Sequence, residues 1–272
     1  MATEIYTQYK DTLNLDFSDT NFSLLMQKRI HKVLLIASSY DAFMIEEDGR
    51  IDEQIFNEYV SLNLRYPPIF VMAHSAEEAF EKLRNDQIDL VITMLTIGGY
   101  DTFGLANEIK REYPGKPNVV LTPFSREVSI RIQHEDLSGI DYVFCWLGNS
   151  NLLLAIIKLI EDGMNAEHDI HEIGVQSILL VEDSVRFYSS YLPLIYKIVF
   201  EQSKKFMQEG LNEHQKMMRM RGRPKILLAR TYEEAETFYN KYQKNLLGII
   251  SDVSFIHEGT KEQGAGIKLA KK

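Results

Sequence analysis

Three carboxylates stand at the ends of apolar runs, and they are the residues of this chain best suited to chemistry. Asp252 closes "LLGIISD", and Glu182 with Asp183 closes "SILLVED". A carboxylate is costly to bury unless something compensates its charge. Either Asp252 caps the loop that follows, or it stands at the mouth of a sheet and reacts. Glu182-Asp183, taken alone, could equally cap the next helix. If both runs are strands of one parallel sheet, their C-terminal ends share an edge, where open α/β sheets bind ligands. Carboxylates crowded there repel and raise one another's pKa values. A hard cation relieves the crowding, and Mg²⁺ prefers oxygen ligands, commonly one or two carboxylates plus phosphate oxygens. Asp252 could then be the nucleophile toward an incoming phosphoryl group, with the metal neutralising charge in a loose transition state.

The elements that must position these residues alternate. Residues 1–30 read as a polar arm with a short helix at "TNFSLLMQKR". Strands follow at 32–37, 68–73, 88–95, 117–124 and 140–147. Helices are expected at 52–64, with Ile55, Tyr59 and Leu62 on one stripe, and at 75–85, opened by a Ser cap. Further helices are expected at 103–113, near 126–136, and at 150–163, stopped by Gly163. The strands are near-continuous in apolar residues, the mark of strands covered on both faces of a parallel sheet. Five β-then-α units with right-handed crossovers predict a doubly wound open sheet. Residues 164–175, polar, acidic and without an apolar period, read as a linker. The pattern then restarts with a strand at 177–183 and a long, mostly helical region at 184–222 holding Pro193. Strand 224–230, helix 231–243, strand 246–253 and a helix opened by "GAGIKLAKK" complete it.

The two halves align as a diverged repeat. "KVLLIASS" matches "SILLVEDS", and "SAEEAFEKLRNDQIDLVITML" matches "TYEEAETFYNKYQKNLLGIISDV". Glu182-Asp183 thus falls on Ala37-Ser38, and Ser251-Asp252 on Thr93-Met94.

On these motifs the second half resembles a bacterial response-regulator receiver domain. The resemblance extends more weakly to residues 31–163. It implies two flavodoxin-like (βα)5 sheets, the second incomplete, divided as an arm (1–30), a first domain (31–163), a linker (164–175) and a second domain (176–272). It implies Asp252 as phosphoacceptor and Mg²⁺ held by Glu182, Asp183, Asp252 and the backbone carbonyl of Ser254. A histidine kinase or another phosphodonor is the implied partner. The first half departs from the pattern at each site position. Ala37 and Ser38 replace the acidic pair, and Met94 replaces the acceptor. Thr122 matches the switch hydroxyl, and Cys145 stands where the family has lysine. A thioether is neither a useful nucleophile here nor a Mg²⁺ ligand. Asp41 does not rescue a site without an aspartate at 94. The first half therefore reads as a pseudo-receiver. The second half ends before the strands that would bring its switch hydroxyl and lysine, so the expectation is that the chain continues, toward an output domain beyond residue 272.

Other features read more plainly. The composition, 45% hydrophobic and 25% charged, is that of a soluble globular protein. No apolar run approaches the roughly 20 residues of a membrane span, and no signal peptide is evident. A single cysteine, Cys145, fits a reducing cytoplasm. Net charge −9 argues against nucleic acid or anionic lipid as the main partner. "KMMRMRGRPK" (216–225) reads as a solvated helix C-terminus, where cations oppose the dipole. His168 and His171 lack further ligands for a metal site. "GAGIKLA" follows a third strand and lacks the third glycine of a dinucleotide fingerprint. The long helix in 184–222 is expected to pack on the first domain or on a second copy of the chain, giving a homodimer. The functional expectation is a signalling module, not an enzyme beyond its own phosphorylation. The alternative is the regulatory or docking region of a large phosphotransfer enzyme of the phosphoenolpyruvate synthase or pyruvate phosphate dikinase type.

Overall fold

The structure is a computed structural model that describes residues 23–46, 50–62, 64, 66–94, 101–123, 135–146, 148, 150–206 and 220–272. Its first sheet contains β1 (Lys32–Ile36), β2 (Ile69–Ala73), β3 (Leu90–Met94), β4 (Asn118–Pro123) and β5 (Tyr142–Trp146). They lie in the order 2-1-3-4-5, all parallel. This is the flavodoxin-like doubly wound order. Helices α1 (Ser39–Ile45), α2 (Ile51–Ser61), α3 (Ala76–Asn85), α4 (Thr102–Glu112) and α5 (Asn151–Ala166) surround it. The continuous apolar strands are explained by their two faces. Leu34 and Ile36 pack with α3 and α4 through Ala79, Leu83, Leu105 and Ile109. Val33 and Leu35, one residue out of phase, pack with α2 and α5 through Ile55, Tyr59, Leu153 and Ile157.

Helix starts follow their caps. Ser75 accepts from the Glu78 N–H at the start of α3, and Asp101 accepts from Phe103 and Gly104 at the start of α4. Helix α1 was not expected from the sequence. Ser38 caps it by accepting from the Asp41 N–H, but seven residues are too few for a periodic stripe to show. The helix expected near 126–136 falls largely outside the described residues.

The second sheet contains β6 (Ser177–Val181), β7 (Lys225–Ala229) and β8 (Leu246–Ser251), parallel, in the order 7-6-8. Helices α6 (Val185–Phe206) and α7 (Tyr232–Tyr242) form the crossovers. A two-stranded antiparallel hairpin, β9 (Phe255–His257) and β10 (Thr260–Glu262), and a short α8 (Ala265–Ala270) follow β8. Strand β8 is an edge strand, and its Leu247, Ile249 and Ile250 side chains are exposed.

The structure departs from the sequence expectations at three places. Helix α5 does not stop at Gly163; it runs to Ala166 and continues as a π-helical turn, Glu167–Glu172. Most of the segment read as a linker is therefore helix. Its polarity marks a buried seam instead of a solvated tether. Lys158, Glu161, Asp162, Asn165 and Asp169 are all buried, and their spacing puts them on one helical face. Second, the end of the arm shows no helix from Ser23 to Ile30. It is pinned to that face. The Met26, Lys28 and Ile30 N–H groups donate to Asp169, Asn165 and Glu161. Third, the basic 216–225 cluster is not wholly a solvated helix end. Arg223 is buried and donates twice to Asp162, at 2.8 and 2.9 Å, while Lys225 pairs with Asp169 at 2.9 Å. Buried charges persist when paired and hydrogen-bonded, and Asp162 also accepts from Tyr196 Oη and the Ile226 N–H.

The long helix packs on the first sheet. The Tyr188 hydroxyl of α6 donates to the Val143 carbonyl, and the Cys145 N–H donates to Ser189 Oγ at 2.9 Å. These bonds satisfy the free side of edge strand β5. Arg230, at the end of β7, donates to the Asp141 carbonyl and lies over the Tyr142 ring. The outward stripe of α6, Phe187, Tyr191, Leu194 and Ile198, remains exposed. Among the described residues no helix is long and apolar enough to cross a membrane.

Candidate metal and phosphoacceptor site

The ends of β6 and β8 are held side by side by the sheet itself. Val181 pairs with Ser251. One residue on, the Asp252 N–H donates to the Val181 carbonyl at 3.0 Å, and the Glu182 N–H donates to the Ala229 carbonyl at 3.0 Å. The backbone ladder thus carries Glu182, Asp183 and Asp252 to one edge. Carboxylate oxygens of the three lie within 4.8 Å of one another. The sequence reading named these residues, and the structure brings them together.

Their environments differ. Glu182 is buried; Asp183 and Asp252 are partly exposed. Burial pushes the Glu182 carboxyl above the usual glutamate range, the Ser184 N–H bond at 3.0 Å pulls it down, and the Asp252 and Asp183 charges add to the rise. Asp252 Oδ1 accepts from the Val253 N–H at 2.6 Å. Ser251 Oγ donates to the Asp252 carbonyl at 2.8 Å, and the Gly266 N–H donates to the Val253 carbonyl at 3.0 Å. A Cβ at Gly266 would overlap the Asp252 carbonyl oxygen, so the start of α8 lies against the loop after β8 only because that residue is glycine. Of the glycines of "GAGIKLA", Gly266 is explained by this close approach and Gly264 by its left-handed backbone, φ 84°. Ser254 lies in the bend between Asp252 and β9.

The equivalent edge of the first sheet is occupied differently. Ile36 pairs with Thr93 as Val181 pairs with Ser251, which places Ala37 and Met94 where Glu182 and Asp252 stand. Ala37, Met94, Thr122 and Cys145 are all buried. Ser38 Oγ donates to Asp41 Oδ2 at 2.6 Å, within the α1 cap. Thr122 Oγ1 donates to the Phe144 carbonyl at 3.3 Å. Burial raises the Cys145 thiol pKa, which disfavours the reactive thiolate. Among the described residues the Glu182, Asp183 and Asp252 group is the single cluster of this kind. His168 and His171 join none; His168 Nδ1 sits 2.9 Å from Asp169 Oδ1.

One residue of the site went unnoticed in the sequence. Lys261, on β10, places Nζ 3.3 Å from Asp183 Oδ1. A signal for the hairpin was present in "FIHEGTKE". Glu258 (φ 50°) and Gly259 (φ 76°) form its two-residue turn, and a pair of positive φ values is the type I′ signature. Glutamate is an unusual first residue there, which hid it.

The donor set fits a hard divalent cation. Three carboxylates whose oxygens lie within 4.8 Å of one another supply oxygen ligands only, the donor type that Mg²⁺ prefers.

No protein-family model and no curated protein matches the chain. Solved structures do. The signal receiver domain of an HD domain-containing protein from Pseudomonas fluorescens Pf-5 is 18% identical, covering 52% of this chain and 94% of its own, with a TM-score of 0.36. The receiver domain of the Francisella response regulator 1452 is 15% identical over 49% of this chain and 98% of its own, at 0.37. A response regulator receiver domain protein from Methanospirillum hungatei JF-1 is 18% identical over 51% and 98%, at 0.35. At these superposition scores the fold rests on the strand order itself, that of a flavodoxin-like doubly wound parallel sheet.

Proposed function

We propose that the second sheet is a phosphoacceptor receiver and that the first is a receiver-shaped partner that is not phosphorylated. The observation that supports this is the convergence of Glu182, Asp183 and Asp252 at the C-terminal edge of β6 and β8, set against Ala37, Ser38 and Met94 at the same edge of β1 and β3.

Asp252 is the acceptor. Its Oδ1 is engaged by the Val253 N–H, so Oδ2 is the attacking atom. A new Oδ2–P bond forms as the donor's bond to phosphorus breaks. The leaving group keeps the electron pair: the imidazole nitrogen of a kinase phosphohistidine, or the carboxylate of a small acyl phosphate. Glu182, Asp183, Asp252 and the Ser254 carbonyl would hold Mg²⁺. That cation supplies neutralisation of the charge on the transferring phosphoryl oxygens. Glu182 also orders the start of α6 by accepting from the Ser184 N–H. The added phosphoryl charge would act on the loop that α8 and the hairpin press against, a local electrostatic change that could be read elsewhere.

Incubation of the protein with acetyl phosphate and Mg²⁺, followed by intact mass measurement, tests the reading. The expected result is one phosphoryl adduct in the wild type and none in Asp252→Asn. An adduct of equal yield in both would contradict it.

A further inference from the structure

Lys261 reaches the acidic edge from outside the strands that carry the carboxylates, and the hairpin that presents it is anchored. Phe255 is fully buried and stacks on Tyr232 at 6.4 Å. Ile256 bridges Thr231 in parallel fashion, extending the end of β7. The His257 ring lies 4.5 Å from the Tyr232 ring and bonds the Glu262 carboxylate. The Glu258 N–H donates to Glu233 at 2.8 Å. Lys261 is paired with Ile256 in the ladder, so its Cα position is set by these contacts. Only its side chain, 59% exposed, is free to move, whereas that of Asp183 is 8% exposed.

We propose that Lys261 is a resident counter-ion that competes with the divalent cation for Asp183 and thereby sets the cation affinity of the site. The proposal rests on the reading of the carboxylate trio as a cation site. The trio carries up to three negative charges in a small volume, and the ammonium group offsets one of them. A divalent cation at the same carboxylate meets that ammonium as a like charge. Binding therefore requires the lysine to withdraw from Asp183. Its exposure allows this without moving the hairpin. The site is poised between two cations, one tethered and one free.

Calorimetric titration of the metal-free full chain with MgCl₂ tests this, using wild type, Lys261→Met and Lys261→Arg. Lys261→Met is expected to bind Mg²⁺ about fivefold more tightly, the scale of a partly exposed ion pair. Lys261→Arg, which keeps the charge, is expected to bind like the wild type. Equal affinity in wild type and Lys261→Met, weaker binding in Lys261→Met, or equal tightening in the arginine variant would overturn the proposal while leaving the cation site standing. Absence of heat at millimolar Mg²⁺ in all three would overturn the cation site and the proposal together. Because the side chain lies on the surface of an anchored hairpin, the variants are expected to fold, and circular dichroism checks that directly.

Discussion

Glu182 bears the electrostatic cost of the site. Its folded-state pKa lies above the ordinary glutamate value, chiefly because it is buried. Such a group contributes stability in full below its unfolded pKa, and that contribution is lost as pH rises through the raised value. At neutral pH the charged carboxylate is thus a load on the metal-free protein. Glu182→Gln is expected to stabilise the metal-free chain at neutral pH, and to blunt the stabilisation expected from Mg²⁺ in the wild type. Urea unfolding in the presence and absence of a chelator measures both; a variant no more stable than the wild type would contradict this account of Glu182. The three carboxylates were legible in the sequence because each follows an apolar run, and a parallel sheet sends strand ends to one edge. Lys261 was not, because its place depends on a hairpin register that local composition only hints at.

At the scale of elements, the strands were read to within a few residues because two-sided burial leaves a continuous apolar signature. The same logic failed for the end of α5. Its Glu, Asp and Asn residues look solvated in the sequence, yet they face Arg223, Lys225 and the backbone of residues 26–30, while Lys158 pairs with Glu161 at 2.6 Å. Their partners on other elements lie between 34 and 143 positions away, beyond any local pattern. This seam carries stability through its pairing. Asp162→Asn would leave the Arg223 guanidinium buried with half its partner removed, although it still lies over the Phe200 ring at 4.8 Å. The expected loss is about 3 kcal/mol. Because α5 belongs to the first sheet and Arg223 precedes β7 of the second, the loss should appear equally in far-UV circular dichroism and in the fluorescence of Trp146, the chain's one tryptophan. A loss confined to one probe would show that the seam does not couple the halves.

One sheet gathers Glu182, Asp183 and Asp252 at the strand ends where the other carries Ala37, Ser38 and Met94. The sheets share the order of their first three strands, and α6 serves both, as a crossover in the second and as the cover of β5 in the first. The repeat could be read from sequence, since "EEA" and the apolar strands recur. The way the halves pack could not, because Tyr188 and Ser189 are unremarkable residues whose partners are backbone atoms of another sheet. On the proposed function, phosphorylation is confined to the second half, at a single aspartate. Borohydride reduction after acetyl phosphate treatment converts an aspartyl phosphate to homoserine, and peptide mapping then locates it. One such conversion is expected, at residue 252, and none within residues 31–163. Conversion in the first half, or none at residue 252 under conditions that load the protein with Mg²⁺, would contradict it.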